Sequence, residues 1–580
     1  MKYPIGIQTF AKIREGNFLY FDKTALIHQL AKDGGIYFLS RPRRFGKSLL
    51  ITTLEAYFQG RKNLFEGLEI CQFEKDWHAY PVLHIDLNAR DYSKPGALRA
   101  ELNKHLEYWE KIYGKEYCDR EPEERFQHIL SKIMDQTGQQ AVILVDEYDK
   151  PLLETFGDKK LQEEHMKLLK AFYGVAKTMD SHIRFALFTG VTKFSKVSVF
   201  SDLNNLNDIS LDSRYAEICG ITEQEIRDNI DPEIEQMATK NSMGKEECYE
   251  KLRKQYDGYH FSKNAAGVYN PFSLLCALDR RDFGDYWFET GTPTFLVETL
   301  KHTQYDLENL TKENITADLL GSLDSIDTNP VPLLYQSGYL TIQSYNPRFM
   351  TFHLGFPNEE VERGFTQFLF RYYAPSSPVR DSFIQDFVVE AETGRVDKFM
   401  RRLEALLAGQ GYQIAGDAEL YFHNIVALIF KIVGFYTETE RHTSDGRMDM
   451  VVQTKNYIYI FEFKLDESAE EALNQIEQKQ YDGPFASDPR MLFKIGVNFS
   501  SKTRRIESWI VTTTILLAEL EAEYLGTWVT DDGVTFSTFW IGPADTGFQL
   551  HVFNSTAEEL PPMRKELRMT NKNPVFYCRL

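Results

Sequence analysis

The chain has 580 residues, of which 43% are hydrophobic and 26% charged, and its formal net charge is −19. That length is too great for one core and predicts about three to four units at roughly 150 residues each. The composition excludes a disordered chain, and the acidity excludes a dedicated nucleic-acid coat protein, so any contact with nucleic acid must use a local basic patch.

The first third alternates apolar runs with helical patterns. Strands are expected at 35–40, 81–87, 141–145 and 185–189, with a helix from Ser48 to Phe58. Continuous apolar strands between long helical stretches predict a parallel sheet covered on both faces. From about residue 222 the pattern turns mostly helical, opening on Thr222 as a cap with Glu225 three positions on. Aromatic turns follow at Tyr256-Asp257-Gly258-Tyr259 and Tyr269-Asn270-Pro271-Phe272. Helical patterning occupies about 357–415. Strand alternation returns at 447–464, followed by a helix at 467–481 and a strand at 491–498. The expected organisation is therefore 1–221, a sheet domain; 222–356, its mostly helical extension; 357–415, a helical linker; 416–512, a second α/β domain; and 513–580, a small, partly β appendage of unassigned role.

Ser40-Arg41-Pro42-Arg43-Arg44-Phe45-Gly46-Lys47-Ser48 lies between a strand and a helix, the context that a phosphate-binding loop requires. Loop N–H groups, Gly46 included, would cradle phosphates, Lys47 would reach the β- and γ-phosphates of ATP, and Ser48 would ligate Mg²⁺. The usual first glycine is replaced by Arg41. About a hundred positions on, Val142-Ile143-Leu144-Val145 ends in Asp146 and Glu147. In a parallel sheet this places Asp146 beside the loop to hold Mg²⁺ through water, and Glu147 to polarise the attacking water. Thr189, Thr192 and Lys193, after the next strand, are candidates for sensing the γ-phosphate; a strand end with a solvated lysine is the alternative.

These segments, Val145-Asp146-Glu147-Tyr148-Asp149-Lys150-Pro151 and the two aromatic turns among them, resemble the AAA-ATPase-like family of bacterial proteins over about residues 1–300. That family carries Arg-Pro-Arg-Arg at the start of its loop, as here. The resemblance implies an ASCE-type P-loop NTPase fold. It also implies that Arg43 or Arg44 contacts phosphate or serves a neighbouring subunit, a choice that the sequence leaves open, and that the chain forms a homo-oligomer.

A second constellation is Asp449, Glu462 and Lys464. Twelve residues separate the two carboxylates, which suits two antiparallel strands joined at Thr454-Lys455-Asn456. Glu462 and Lys464, two apart, share a face. Asp449 and Glu462 are oxygen ligands suited to Mg²⁺, and Lys464 can orient water or stabilise developing charge. A surface Glu/Lys pair on an edge strand is the alternative reading. Ahead of the hairpin, Glu419 and His423 would share a helix face. Helix, strands, helix and strand is the core order of a restriction-endonuclease-like α/β domain, and the segment resembles the PD-(D/E)XK nuclease superfamily. By that resemblance Glu419 adds a metal contact, and Gln475 and Tyr481 support the site or meet the nucleic-acid backbone.

The expected function is ATP hydrolysis coupled to Mg²⁺-dependent cleavage of DNA or RNA. The alternative is a nucleotide-switched scaffold for a protein partner with a non-cutting nuclease fold, in a mobile-element or phage-defence setting. Six dispersed cysteines without CxxC pairs or zinc spacing predict free thiols in a reducing cytoplasm. No secretory h-region opens the chain, and the apolar run Ile425–Phe435, interrupted by Lys431, falls short of the ~20 residues of a membrane span, so no membrane partner is expected.

Overall fold

The computed structural model describes residues 1–115, 120–155, 157–193, 199–200, 203–288, 296, 299–300, 303, 305, 307–311, 314–321, 329–373, 381–408, 424–425, 428–429, 431, 450–485, 488–503 and 505–514, with six short strands between 528 and 578. The chain divides into two compact units, Met1–Phe365 and Thr366–Leu580.

The first unit is built on five parallel strands: β1 (Gly35–Ser40), β2 (Val82–Asp86), β3 (Ala141–Asp146), β4 (Ile183–Gly190) and β5 (Leu206–Asp208), in the order β2-β3-β4-β1-β5. All six residues of β3 are buried, as its unbroken apolar run requires when both faces are covered. Helix α1 (Phe10–Glu15) and α2 (Thr24–Lys32) precede β1, and α3 (Lys47–Phe58) follows it. The long helices α4 (Ala97–Tyr113), α5 (Pro122–Thr137) and α6 (Lys159–Thr178) bury Leu98, Leu102, Phe126, Ile129, Leu169 and Phe172 in one core with Phe38, Ile85, Ile143 and Phe188 of the sheet. Because β4 separates β1 from β3, the loop strand and the acidic strand are next-nearest neighbours. This is the ASCE-type order.

The segment after the sheet opens on α7 (Glu223–Lys240). Thr222 Oγ1 accepts from Glu225 N at 3.2 Å and Glu225 Oε2 accepts from Thr222 N at 2.8 Å, a reciprocal cap. Helices α8 (Lys245–Tyr256) and α9 (Pro271–Arg280) pack with it around Ile226, Ile234, Leu252, Tyr256 and Leu274. The region is less uniformly helical than its pattern suggests. It carries a three-stranded antiparallel sheet, β6 (Asn314–Thr316), β7 (Thr341–Asn346) and β8 (Thr351–Gly355), in the order β6-β8-β7. These strands are three to six residues long, too short for alternation to stand out. Helix α10 (Glu359–Tyr373) follows, with Phe365 against Tyr339 at 4.7 Å between ring centroids.

In the second unit, α11 (Asp381–Glu392) and α12 (Val396–Ala408) precede a mixed sheet. Its strands β9 (Met450–Gln453) and β10 (Tyr457–Leu465) form an antiparallel hairpin, as expected. β11 (Met491–Ser500) runs parallel to β10 after a crossover through α13 (Ala469–Gln478), and β12 (Arg505–Thr514) is antiparallel to β11. The last stretch is not wholly an appendage: Leu567–Thr570 pairs with β12, and Tyr577–Cys578 pairs with Leu567–Thr570. Gly496 faces α13 directly. A Cβ there would stand 2.7 Å from Leu473 N and still closer to the Ala469 carbonyl, so glycine lets the helix backbone rest on the sheet opposite Glu462, its register partner.

Candidate functional site

The phosphate-loop segment leaves β1 at Ser40 and enters α3 at Lys47. Arg41 does not line it as a flexible turn. Its guanidinium is buried, donating to Ser210 O at 2.9 Å and Tyr215 O at 3.0 Å, and lies 4.1 Å from the Phe261 ring centre. The left-handed backbone falls at Arg44 (φ 69°) and Gly46 (φ 86°). Arg41 thus anchors the loop inward, and the tight bend follows it. Burial holds the Arg41 guanidinium below its ordinary pKa.

Lys47 is almost fully buried. Its ammonium donates to Arg41 O at 3.1 Å and Pro42 O at 3.2 Å and lies 3.2 Å from Glu147 Oε1. Glu147 adopts φ 54°, a left-handed kink at the end of β3, a conformation that a non-glycine residue rarely takes. Asp146 is buried, accepts from Thr189 Oγ1 at 3.0 Å and hydrogen-bonds the Ser48 side chain. Burial and then the Glu147 charge raise its pKa, against the pull of Ser48, Lys47 and Thr189. An acidic group so placed is suited to a cation that would favour its charged form. Asp149, fully buried, accepts from Thr192 N and Thr192 Oγ1, each at 2.6 Å, and fixes the turn after β4.

Gly46, Lys47, Ser48, Glu147, Arg43 and Arg44 border one cavity of about 450 Å³. Both loop arginines are exposed there, Arg44 with its guanidinium 4.7 Å from the Phe272 ring centre. Lys193 is placed elsewhere: its ammonium pairs with Asp208, and it lines a separate small cavity with Ser40 and Pro42. The reason is β5, which ends at Asp208 within reach of the Lys193 ammonium. Of the γ-phosphate sensing candidates, Thr189 alone touches Asp146.

The structure adds residues that the sequence did not single out for this site. Pro4 to Gln8 form part of the cavity wall. Phe45 packs edge-on against Tyr259 (4.7 Å) and Phe261 (5.4 Å), and Trp287 Nε1 donates to Arg43 O at 3.3 Å. The Tyr256–Tyr259 turn therefore grips the loop through Tyr259, and Trp287 holds it from further along the chain. The turn's composition is visible in the sequence; contacts spanning more than two hundred positions are not.

Behind this grip sits Glu360, 1% exposed, whose Oε1 accepts from Trp287 N at 2.7 Å. Burial, only partly opposed by that bond, pushes its pKa up to about 8. The folded state therefore holds a neutral carboxyl, which ionises in the unfolded chain near 4.5. The stabilisation is complete below that value and is lost as pH rises toward about 8. Glu360→Gln is expected to flatten this decline, leaving the variant more stable than wild type above pH 8 by on the order of a few kcal/mol. Urea midpoints measured from pH 5 to 9 check it.

In the second unit, Glu462 and Lys464 point to one face of β10, with Lys464 Nζ 4.0 Å from Glu462 Oε1. Gln475 on α13 bridges them: its Nε2 donates to Glu462 Oε1, and its Oε1 accepts from Lys464 Nζ at 2.7 Å. Glu462 is 2% exposed. On the opposite face Phe461 stacks with Phe463 at 6.0 Å and meets Phe399 of α12 at 6.0 Å. Tyr481 is buried among Val451, Ile458, Ile476 and Leu492, so its ring belongs to the core under the site and is not exposed to a nucleic-acid backbone. Asp449 and Glu419 lie outside the described residues; Asp449 directly precedes Met450, the register partner of Phe461. Among the described residues no group of three or more His, Cys, Asp or Glu is placed to hold a metal ion.

A family model described as a predicted AAA-ATPase matches residues 4–200, and one for the PD-(D/E)XK nuclease superfamily matches residues 417–509. A protein of Azotobacter chroococcum mcd 1, described as an uncharacterized protein in the vnfD 5' region, is 36% identical over 524 residues, covering 88% of this chain and 98% of the relative. The chain belongs to the AAA-ATPase-like family. Its second unit carries the PD-(D/E)XK nuclease superfamily domain, and Glu462 and Lys464 lie within the matched residues. No helix among the described residues is long and apolar enough to cross a membrane. Cys219, Cys248 and Cys276 are buried and are not joined in disulfides.

Proposed function

We propose that the chain hydrolyses Mg²⁺-ATP in the first unit and cleaves DNA or RNA phosphodiester bonds in the second. The observation that carries the first half is the Lys47–Glu147 contact of 3.2 Å in the lining of a cavity large enough for a nucleotide. Lys47 would leave its loop carbonyls for the β- and γ-phosphates, freeing Glu147 to hold and deprotonate the attacking water. Arg43 and Arg44 supply further positive charge beside the phosphates. Half-buried Ser48 and buried Asp146 offer oxygen ligands that fit a magnesium ion and would hold it.

In the second unit, Glu462 together with Asp449 would hold Mg²⁺, and Glu419 is proposed as a further contact. Lys464 would orient water and stabilise charge on the phosphate, and Gln475 fixes the distance between acid and lysine. In both units magnesium supplies Lewis-acid charge neutralisation at phosphate oxygens. Buried cysteines outside any disulfide support a cytoplasmic setting.

The net charge of −19 favours a second reading, a nucleotide-switched scaffold for a protein partner, in which the nuclease fold no longer cuts. The two separate on one assay: full chain, Mg²⁺, single- and double-stranded DNA and RNA, with and without ATP. Metal-dependent cleavage is the expected result. Intact substrates in every condition, with ATP hydrolysis retained, would leave the scaffold reading standing.

A further inference from the structure

We propose that the Pro4–Ile7 turn and Phe272 form a nucleobase subsite, so that the first unit grips ATP through its base as well as its phosphates. The inference rests on the ATP reading above and adds what the family match does not assign.

The lining of the 450 Å³ cavity divides by chemistry. One part is charged: Arg43, Arg44, Lys47 and Lys150, with the carboxylates of Glu147 and Glu154. The other is apolar: Pro4, Ile5, Ile7, Leu49, Phe272 and Leu275. A nucleoside triphosphate has the same two halves, a polyanion and a flat, largely apolar ring. Ile5, Ile7 and Phe272 are only half-buried, so carbon surface that a core would cover borders open space instead.

The wall is built, not loose chain. Ile7 N donates to Pro4 O at 3.1 Å, closing a turn with Gly6 at φ 72°, where an added Cβ would meet nothing within 4 Å. Thr52 on the phosphate-loop helix α3 ties the segment down, its Oγ1 donating to Gln8 O at 2.7 Å and accepting from Phe10 N at 3.1 Å. Ile5 and Phe272 pack against the same α7–α9 core, which fixes one relative to the other. Phe272 is set at the start of α9 by Asn270, whose Oδ1 accepts from Phe272 N at 3.0 Å. With the Arg44 guanidinium over its ring, Phe272 joins the cationic loop to the apolar wall. A base held there packs against this carbon surface while its phosphates reach Lys47.

Calorimetric titration of the full chain in Mg²⁺ with ATP and, separately, inorganic tripolyphosphate tests this. Wild type is expected to bind ATP more tightly than tripolyphosphate. Phe272→Ala should weaken ATP by about tenfold or more and leave tripolyphosphate unchanged. Ile7→Ala, in the same apolar lining, should act in the same direction, and tripolyphosphate binding reports that the loop is intact in both. Lys47→Ala should weaken both ligands. ATP affinity unchanged in both wall variants, equal losses for the two ligands, or equal wild-type affinities would overturn the subsite while leaving the ATP reading in place. Wild type that binds neither ligand overturns both.

Discussion

Glu147→Gln is expected to lower kcat for ATP hydrolysis by roughly a hundred- to ten-thousand-fold while leaving ATP affinity near wild type. The substitution keeps the side chain's size and its kinked backbone, and removes only the negative charge that faces Lys47 at 3.2 Å. Lys47→Ala should fail differently. It removes the cation that the phosphates need and also leaves the Arg41 and Pro42 carbonyls without their donor. Both binding and turnover should be lost. Phosphate release measured against ATP concentration separates the two; a Glu147→Gln protein with unchanged kcat would remove that carboxylate from the mechanism.

The second large effect lies in the other unit. Glu462→Gln should abolish metal-dependent cleavage, a loss on the order of a hundredfold or more. Gln475→Ala should cost about ten- to a hundredfold, because it frees both Glu462 and Lys464 from the bridge that sets their separation. Neither change should alter ATP turnover in the absence of nucleic acid. Cleavage of a labelled substrate under single-turnover conditions reads the effect. Unimpaired cutting by Glu462→Gln would place the nuclease centre elsewhere or remove it.

Much of this was legible before any coordinates. Strand β1, the loop and α3 follow from an apolar run, a Gly-Lys-Ser and a helical period. The β9–β10 hairpin follows from two alternating runs about a three-residue turn, and its two-residue period puts Glu462 and Lys464 on one face. Local pattern carries such features because their determinants are neighbours in the chain. In the local sequence Arg41 is only a missing glycine. That it is an inward anchor depends on the carbonyls of Ser210 and Tyr215, far along the sequence. Lys193 looked like a phosphate sensor because nothing local reveals that Asp208, on a three-residue edge strand, captures it. Gln475 and Tyr481 share one expectation, yet α13 turns the first onto Glu462 and the turn after it buries the second in the core. The Pro4–Ile7 wall carries no local signature at all.

The most direct test is a crystal structure of the full chain with Mn²⁺ and a non-hydrolysable ATP analogue, read by anomalous scattering. One manganese peak is predicted between Ser48, Asp146 and the β- and γ-phosphates, and a second beside Glu462 and Asp449. Phosphates bound away from Lys47, or no metal at Glu462 at saturating Mn²⁺, would contradict the account.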